Sequence, residues 1–427
     1  MARAASAPGI ELQRAARASV LLVGAGGLAG VLNLLFNVVV ARRGGAANYG
    51  AIGPLLTLVT VVGLLITGFQ YGIARQVAVS AGTGAQVLAP AIQAVLPWTA
   101  VAFVLAAVSE PISAFLRLPS VVPVLLIAVG AAIGVLGAAV SGVLVGLQRF
   151  WAIAALGVGA AVIRLVLGFL VGRGGGAVLL SLVASLVAGV ASLVGGLMIV
   201  VLMPKRASIV ARAGPVALDS RPVKTSLVGS LVAGALWATW GMPVLFARHV
   251  LSPAVAGDFA ATQLLAGALI WGTGPLVTAF FPTMARYRAR DAVILGEVAT
   301  TTVSLLGAAV LTLTGPALVD RLYGPEYAGS RILILVLALS ATATACATFA
   351  SWATIARKAH IGRLVVALML ALLLELAWDA TFGHSMISLA LGPGLALFLA
   401  GATYPLLDCI SPSVARRLVN RPRRASP

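Results

Sequence analysis

Residues 19–40 read SVLLVGAGGLAGVLNLLFNVVV, a run of 22 residues without a charged side chain. An α-helix rises 1.5 Å per residue, so about 20 apolar residues cross the ~30 Å hydrocarbon core of a bilayer. Arg14 and Arg17 precede the run, as in a signal peptide. The run exceeds the apolar core of about 7–15 residues that cleavable signals have. The stretch therefore predicts a transmembrane helix that the protein retains.

Comparable runs recur along all 427 residues, of which 61% are hydrophobic and only 9% charged. Soluble domains are about 25% charged. Because hydrocarbon offers the backbone no hydrogen-bonding partner, the runs must be helical. The sequence predicts an all-α polytopic membrane protein with about twelve transmembrane helices. The predicted spans are residues 19–41, 50–72, 87–108, 121–146, 150–171, 177–203, 225–247, 254–281, 293–317, 331–355, 364–383 and 386–409.

The net charge of +18 follows from 29 Lys and Arg against 11 Asp and Glu. With the N-terminus in the cytoplasm, 21 of these cations fall in inner segments, seven fall in outer segments and Arg164 falls within a span. The positive-inside rule therefore predicts cytoplasmic N- and C-termini. Much of the net charge reflects this topology, so nucleic acid is not expected as a partner.

The longest basic connection, residues 204–224, divides the spans into two sets of six. Short motifs repeat across it: VARR at 40–43 resembles FARH at 246–249, and GIAR at 72–75 resembles TMAR at 283–286. Since six is even, both sets would have the same orientation, as in tandem transporter lobes. We predict two pseudo-symmetric six-helix lobes around a central cavity. The predicted parts are a cytoplasmic segment (1–18), the N-lobe (19–203), a basic linker (204–224), the C-lobe (225–409) and a basic cytoplasmic tail (410–427).

Several short segments occur in an order and spacing found in one family of exporters. They are NLLFN at 33–37, ARRGG at 41–45, NYG at 48–50, GFQYGIAR at 68–75, GLQRF at 146–150, FPTMAR at 281–286 and YGPEYA at 323–328. In these the chain resembles the polysaccharide and oligosaccharide flippases, of the O-antigen and teichoic-acid type, of the multidrug/oligosaccharidyl-lipid/polysaccharide exporter superfamily. None of the segments is a catalytic signature.

The resemblance implies two six-helix bundles forming a V around a cavity lined by spans 1, 2, 7 and 8. It implies a polyprenyl-pyrophosphate-linked glycan as substrate, moved from the inner to the outer leaflet of a bacterial plasma membrane by alternating access. Glycan-polymerising or glycosyltransferase membrane proteins are the implied partners, besides membrane lipids. Family members often carry a carboxylate in span 7, where this chain has WGMP at 240–243, so ion coupling at that position is not expected.

Moving such a lipid requires cations for the pyrophosphate, and arginine binds phosphate with two parallel hydrogen bonds. Arg42 and Arg248 lie at equivalent outer ends of spans 1 and 7, and Arg75 and Arg286 at equivalent inner ends of spans 2 and 8. We predict that these four arginines bind the headgroup, although charges at span ends also contact lipid phosphates or snorkel. Cavity-lining amides and stacking surfaces for sugars are expected from Asn33, Asn37, Gln70, Gln263, Trp237 and Trp240, which could equally serve helix packing.

Arg164 in span 5 and Glu375 in span 11 are charges placed well inside predicted spans, 211 positions apart. Each costs at least about 2.5–3.5 kcal/mol in hydrocarbon, so each needs an explanation. The sequence leaves two roles open for them, coupling of transport to an ion and structural hydrogen bonding.

Other classes of function find less support. No Walker loop, Rossmann fingerprint or HExxH motif is present, no metal ligands cluster, and no cofactor or enzymatic activity is expected. A cation antiporter of the multidrug and toxin extrusion type would share the fold, but spans 1, 2 and 7 contain no Asp or Glu. A membrane scaffold for a glycan assembly machine that itself transports nothing is the remaining alternative.

Overall fold

The computed structural model describes residues 8–79, 84–172, 176–202, 220–287, 290–357 and 361–401. The first half contains α1 (Pro8–Gly44), α2 (Ala46–Val79), α3 (Gly84–Val95), α4 (Ala100–Ala107), α5 (Ser109–Phe115), α6 (Val122–Gly146), α7 (Phe150–Gly168) and α8 (Ala177–Leu202). The second half contains α9 (Ser220–Val250), α10 (Pro253–Tyr287), α11 (Arg290–Tyr323), α12 (Arg331–Ala356), α13 (Ile361–Phe382) and α14 (Met386–Gly401).

Eleven apolar segments within these ranges are long enough to cross a bilayer, and α14 is a shorter apolar helix. The described residues contain no β-strand. The predicted fold class is thus confirmed: the protein is an all-helical, multi-pass membrane protein with two lobes. The basic tail (410–427) and most of the linker lie outside the described residues, and α9 begins at Ser220, inside the predicted linker.

Two local features were not predicted. The third span is divided into α3 and α4 by one tight turn, Leu96–Thr99, which contains Pro97. Proline has no backbone N–H and clashes with the preceding helical turn, so the α-helical hydrogen bonding stops there. The second feature is α5, a seven-residue helix between the third and fourth spans.

The two lobes repeat the same helix pairings. In the N-lobe, α1 packs along α7 and α2 along α6; in the C-lobe, α9 packs along α13 and α10 along α12. Contacts between the lobes come mainly from α2, which packs against α9 and α10. We call the end of the molecule that carries Gly45, Leu251 and Gly324 the turn face, and the opposite end, where α1 begins, the terminal face.

Two glycines set the closest approach between the lobes, near the turn face. A Cβ on Gly257 of α10 would lie 2.0 Å from the Ala46 carbonyl oxygen of α2. A Cβ on Gly50 of α2 would lie 2.1 Å from the Pro253 carbonyl oxygen. Both obstacles are backbone atoms, which cannot turn aside as a side chain can, so α2 and α10 cross here only because both residues are glycine.

The crossing predicts a sharp difference between two glycines of α10. Gly257→Ala should destabilise the purified protein by about 1–3 kcal/mol, because the added methyl group overpacks a backbone contact. Gly272→Ala is the matched control, since a Cβ there meets nothing within 4 Å. Thermal unfolding in detergent should show a lower Tm for the first variant and an equal or higher Tm for the second. Equal melting of both variants would contradict the packing described.

Candidate functional site

The lobes are closed against each other at the turn face and separate toward the terminal face. Along α1, Phe36, Val40 and Ala41 are buried, whereas Leu28 and Val31 are exposed. The burial of α10 changes in the same direction. Its residues Phe259 and Ala266 are buried, and Trp271 is 58% exposed. α1 is thus covered only in the half nearer the turn face and α10 mainly there, although Thr273 and Met284 are also buried. We call the space between the lobes beyond the closed half the cleft.

Three tyrosines close the turn face between the lobes. Tyr49 of α2 packs against Tyr323 and Tyr327 of the C-lobe, with ring centroids 6.4 Å away in both pairs. The Tyr327 hydroxyl donates a hydrogen bond to the Ala41 carbonyl (2.9 Å). Burial raises the pKa of Tyr327, and the neighbouring Glu326 raises it further, so this phenol remains a donor at neutral pH.

The turn between α1 and α2 is shaped to receive Glu326. The backbone N–H of Ala46 donates to a Glu326 carboxylate oxygen at 3.3 Å. Gly45 has a φ of +77°, a left-handed conformation that side chains disfavour, and a Cβ there would lie 3.1 Å from the same oxygen. The C-lobe loop after α11 therefore binds backbone groups of the N-lobe turn through the side chains of Glu326 and Tyr327.

A second contact between the lobes at this face involves Arg248, predicted as a headgroup ligand. Its Nε donates to the Leu116 carbonyl (3.0 Å) and its Nη2 to the Arg117 carbonyl (3.3 Å). His249 donates from Nδ1 to the Phe115 carbonyl (2.8 Å), and its ring stacks on that of Phe115 with a centroid separation of 4.3 Å. We call this contact the latch.

The latch follows from the chemistry of helix ends. The carbonyls at the end of α5 have no partner within the helix, and a cation is favourable there. The last turn of α9 supplies that cation from the other lobe. The Arg248 side chain is only half-buried, so the latch is accessible to solvent at the rim of the closed turn face.

Asn33, Asn37 and Arg164 form one polar network in the N-lobe. Arg164 of α7 donates from Nη1 to the Asn33 side-chain oxygen of α1 (2.9 Å), and its guanidinium carbon lies 4.2 Å from the centre of the Phe36 ring. The Asn37 side chain donates to the Asn33 carbonyl (2.8 Å) and accepts from the Tyr49 hydroxyl (3.2 Å). The network therefore links α7, α1 and α2, and it reaches the tyrosines that close the turn face.

Gln263 and Trp240 lie together inside the contact between α9 and α10. Both side chains are buried, and the Gln263 amide donates to the Trp240 carbonyl. Pro243 weakens this turn of α9, because it lacks the N–H that would bond four residues back. Gln263 thus donates a hydrogen bond to a carbonyl in a helical turn that the proline disrupts. Side-chain amides commonly make such bonds between membrane helices.

Trp237, in contrast, belongs to an accessible pair. Its ring lies 4.7 Å from that of Trp271, which is largely exposed on the terminal side of the cleft. Gln70 of α2 is half-buried. These two predicted cavity residues are partly exposed in this conformation, whereas Trp240 and Gln263 are buried.

The other three predicted headgroup arginines have different surroundings. Arg42 is exposed at the end of α1. The neighbouring Arg43 donates from Nε to the Val171 carbonyl (3.0 Å), joining α1 to the segment after α7. The side chains of Arg75 and Arg286 lie outside the described part of the structure.

Glu375 is fully buried in the C-lobe, with a second carboxylate, Asp379, one helical turn further along α13. The two carboxyl groups interact with each other, and neither has a hydrogen-bonding partner elsewhere among the described residues. Gly392 of α14 leaves room for them, since a Cβ there would lie 2.6 Å from a Glu375 oxygen. Two anions this close in an apolar interior cannot both remain charged, so the pair must hold a proton or a cation.

The N-lobe also contains a hollow of about 290 Å³. It lies between α2, α6 and α8, and glycines such as Gly130, Gly134 and Gly189 make up part of its wall. Its polar lining consists of serines alone. This lobe therefore offers an apolar interior without carboxylates.

Sequence reasoning found part of this site. It identified Arg164 and Glu375 from their position in spans, but it missed Asp379, although the i, i+4 spacing to Glu375 was visible. It also missed the latch, because α5 was not predicted and the partners of Arg248 are backbone carbonyls. Backbone groups carry no sequence signal.

Comparison with known proteins gives the fold alone. No protein-family model and no curated protein matches the chain. Among solved structures it is similar to an inward-facing MATE family transporter of the MOP superfamily (TM-score 0.65, 13% identity, 92% of this chain and 99% of that one). It is similar to the lipid II flippase MurJ in an inward closed conformation (TM-score 0.64, 13% identity, 92% of this chain and 88% of that one). A third is a MOP superfamily transporter from Pyrococcus furiosus, described by a binding pocket of reverse polarity (0.57, 14%, 92% and 95%).

The protein thus shares the fold of these solved structures, among them a multidrug transporter and a lipid flippase. The three solved structures named above are two transporters and a flippase.

The latch predicts which arginine holds the turn face closed. Arg248→Ala should increase amide hydrogen exchange in residues 112–118 and 246–256 roughly tenfold, because it removes charge-assisted hydrogen bonds worth about 1.5 kcal/mol or more. Arg42→Ala is the control, an exposed arginine at the same face. Hydrogen exchange with mass spectrometry in detergent measures both. If the two variants exchange alike, Arg248 does not hold the lobes together.

Proposed function

We propose that the protein translocates a lipid-linked glycan, of the polyprenyl-pyrophosphate type, from the inner to the outer leaflet of a bacterial plasma membrane by alternating access. The fold is that of a transporter superfamily which includes a lipid flippase. A cleft open to one face and closed at the other is the geometry that such a cycle starts from.

The observation that carries the proposal is the distribution of charge between the lobes. Residues 12–109 and 111–217, which hold nearly all of the N-lobe, contain no Asp or Glu. The charged side chain described within that lobe's helix packing is a guanidinium, that of Arg164. A cation exporter needs carboxylates to replace the water that its substrate loses on entering the protein. This lobe instead buries a guanidinium, which favours an anionic headgroup.

The sides of the membrane follow from the arginine distribution. With both termini cytoplasmic, the terminal face is the inner side and the cleft opens to the cytoplasm. Arg75 and Arg286 then lie at the inner mouth, where an incoming pyrophosphate would first meet a cation. Arg42 and Arg248 lie at the outer rim, and Arg248 would become free for the headgroup only when the latch opens.

The remainder of the substrate suits the accessible surfaces of the cleft. The exposed face of the Trp237–Trp271 pair offers the apolar stacking surface that sugar rings bind. Glycan-polymerising or glycosyltransferase membrane proteins would supply or receive such a substrate. The basic linker and tail are the segments through which they could bind this protein.

For the energy source, we propose the carboxyl pair of the C-lobe. Glu375 and Asp379 are buried, adjacent and without other partners, so the proton or cation they hold must be released if they become exposed. Both lie on α13, which packs along α9, the helix that carries the latch. A change at the carboxyl pair can therefore move the helix that closes the turn face.

Transport itself tests the proposal. Proteoliposomes containing the protein should move a fluorescent polyprenyl-pyrophosphate disaccharide between leaflets, measured by quenching with an impermeant reductant. Arg75→Ala and Arg286→Ala should slow this at least tenfold, the loss expected for a charge-assisted contact of about 1.5–3 kcal/mol. Export of ethidium without lipid movement would instead establish a cation antiporter. If neither substrate moves but deletion stops glycan export in cells, the scaffold alternative is correct.

Coupling is tested with neutral substitutions. In proteoliposomes with an imposed pH or sodium gradient, the double variant Glu375→Gln with Asp379→Asn should lose acceleration by the gradient and keep the basal rate. Glu297→Gln is the matched control, since Glu297 is another carboxylate within a span, on α11. A gradient response that survives in the double variant would exclude this pair as the coupling site.

A further inference from the structure

Arg164 begins a series of hydrogen bonds that ends at the closed turn face. Its Nη1 donates to the side-chain oxygen of Asn33 (2.9 Å), and the Asn33 amide nitrogen donates to the Ala29 carbonyl (2.9 Å). The amide cannot turn over without losing both bonds, because its oxygen only accepts and its nitrogen only donates. Arg164 therefore fixes both the Asn33 side chain and the position of this turn of α1 on α7.

The second amide of the series, that of Asn37, is oriented in the same way. Its Nδ2 donates to the Asn33 carbonyl (2.8 Å), which leaves its oxygen to accept from the Tyr49 hydroxyl (3.2 Å). Both Asn37 and Tyr49 are buried, and hydrogen bonds are stronger in an interior of low dielectric constant than in water. Every donor in the series thus has a defined direction. Asn33 accepts from Arg164 through its side chain and from Asn37 through its backbone.

The series supports the two N-lobe groups that the C-lobe binds at the turn face. One is Tyr49, which packs against Tyr323 and Tyr327. The other is the Ala41 carbonyl, which accepts from the Tyr327 hydroxyl and lies one helical turn beyond Asn37 on α1. A shift of α1 on α7 therefore moves both groups out of position for the C-lobe loop.

The guanidinium is the strongest member of the series. Hydrogen bonds from a charged donor are roughly twice as strong as those between neutral groups. Arg164 also lies over the Phe36 ring, with its guanidinium carbon 4.2 Å from the ring centre. Phe36 in turn packs against α7 at Gly168, where a Cβ would lie 2.9 Å from a ring carbon. One side chain of α7 thus holds α1 through a hydrogen bond and an aromatic contact, at residues three positions apart.

We propose that Arg164 is a positioning residue that holds the turn face closed from inside the N-lobe, by fixing the α1 turn that orients the Tyr49 hydroxyl. We call the bonded residues Arg164, Asn33, Asn37 and Tyr49 the strap. Closure then has two separate supports. The latch joins the lobes directly at the rim, whereas the strap acts within the N-lobe on the tyrosine contact. The strap sets how readily the turn face opens whatever the substrate is, so it goes beyond the proposed function and does not rest on it.

Double-mutant cycles on the full-length protein in detergent test the strap. The measured quantity is amide hydrogen exchange at the turn face, in residues 41–50 and 323–329, followed by mass spectrometry. Arg164→Met and Tyr49→Phe should each increase this exchange roughly fivefold, the loss expected for one buried hydrogen bond. Tyr49→Phe keeps the aromatic ring and removes only the hydroxyl. Because both changes break the same strap, the double variant should exchange no faster than the faster single variant.

The latch supplies the matched control, since Arg248 shares no hydrogen bond with the strap. The fold-increases of Arg164→Met and Arg248→Ala should therefore multiply in the double variant. If Arg164→Met does not fold, Arg164→Gln takes its place in both cycles. It removes the charge but keeps a side-chain amide, and the same pattern is expected.

Three results would overturn the proposal. The first is multiplying effects of Arg164→Met and Tyr49→Phe, which would show that the two side chains act independently. The second is an increase as large in residues 177–202 of α8 as at the turn face, which would show that Arg164 only stabilises the N-lobe. The third is unchanged exchange in the Arg164 variant. No substrate is present in these measurements, so they leave the proposed function to its own transport assay.

Discussion

Hydrocarbon offers no hydrogen-bonding partner, and this constraint governs both the backbone and the polar side chains of the protein. The backbone satisfies it within helices. Threonines and serines satisfy it locally, as Thr239, Thr262 and Thr342 do by donating to the carbonyl four residues back. The remaining polar side chains must form hydrogen bonds with other helices. They do so between α7, α1 and α2 and between α9 and α10.

The same constraint explains how the two lobes are joined. Without a hydrophobic driving force between helices in lipid, close packing and interhelical hydrogen bonds hold them together. At the turn face both are present, in the glycine crossing of Gly50 and Gly257 and in the bonds made by Tyr327, Glu326 and Arg248. Toward the terminal face they are sparse along α1 and α10, so the lobes can separate there.

The lobes repeat one helix arrangement but carry opposite buried charges. Arg164 on α7 and Glu375 on α13 occupy the same place in the repeat, 211 residues apart. The first is held by an asparagine and a phenylalanine ring, and the second lies beside another carboxylate. An uncompensated charge in hydrocarbon is unfavourable, so the two lobes need compensating groups of opposite sign.

The sequence by itself determined the membrane-spanning helices and their duplication, because span length and apolar composition are local properties. It also placed Arg164 and Glu375 inside spans. It assigned Arg248 to a ligand and Trp240 to a cavity wall, whereas the tertiary structure puts the first on the carbonyls of Leu116 and Arg117 and buries the second. Only the tertiary structure decided these points. Helices more than 100 residues apart in the sequence determine which backbone carbonyls and which helix faces meet. Backbone carbonyls and packing partners leave no pattern in the sequence.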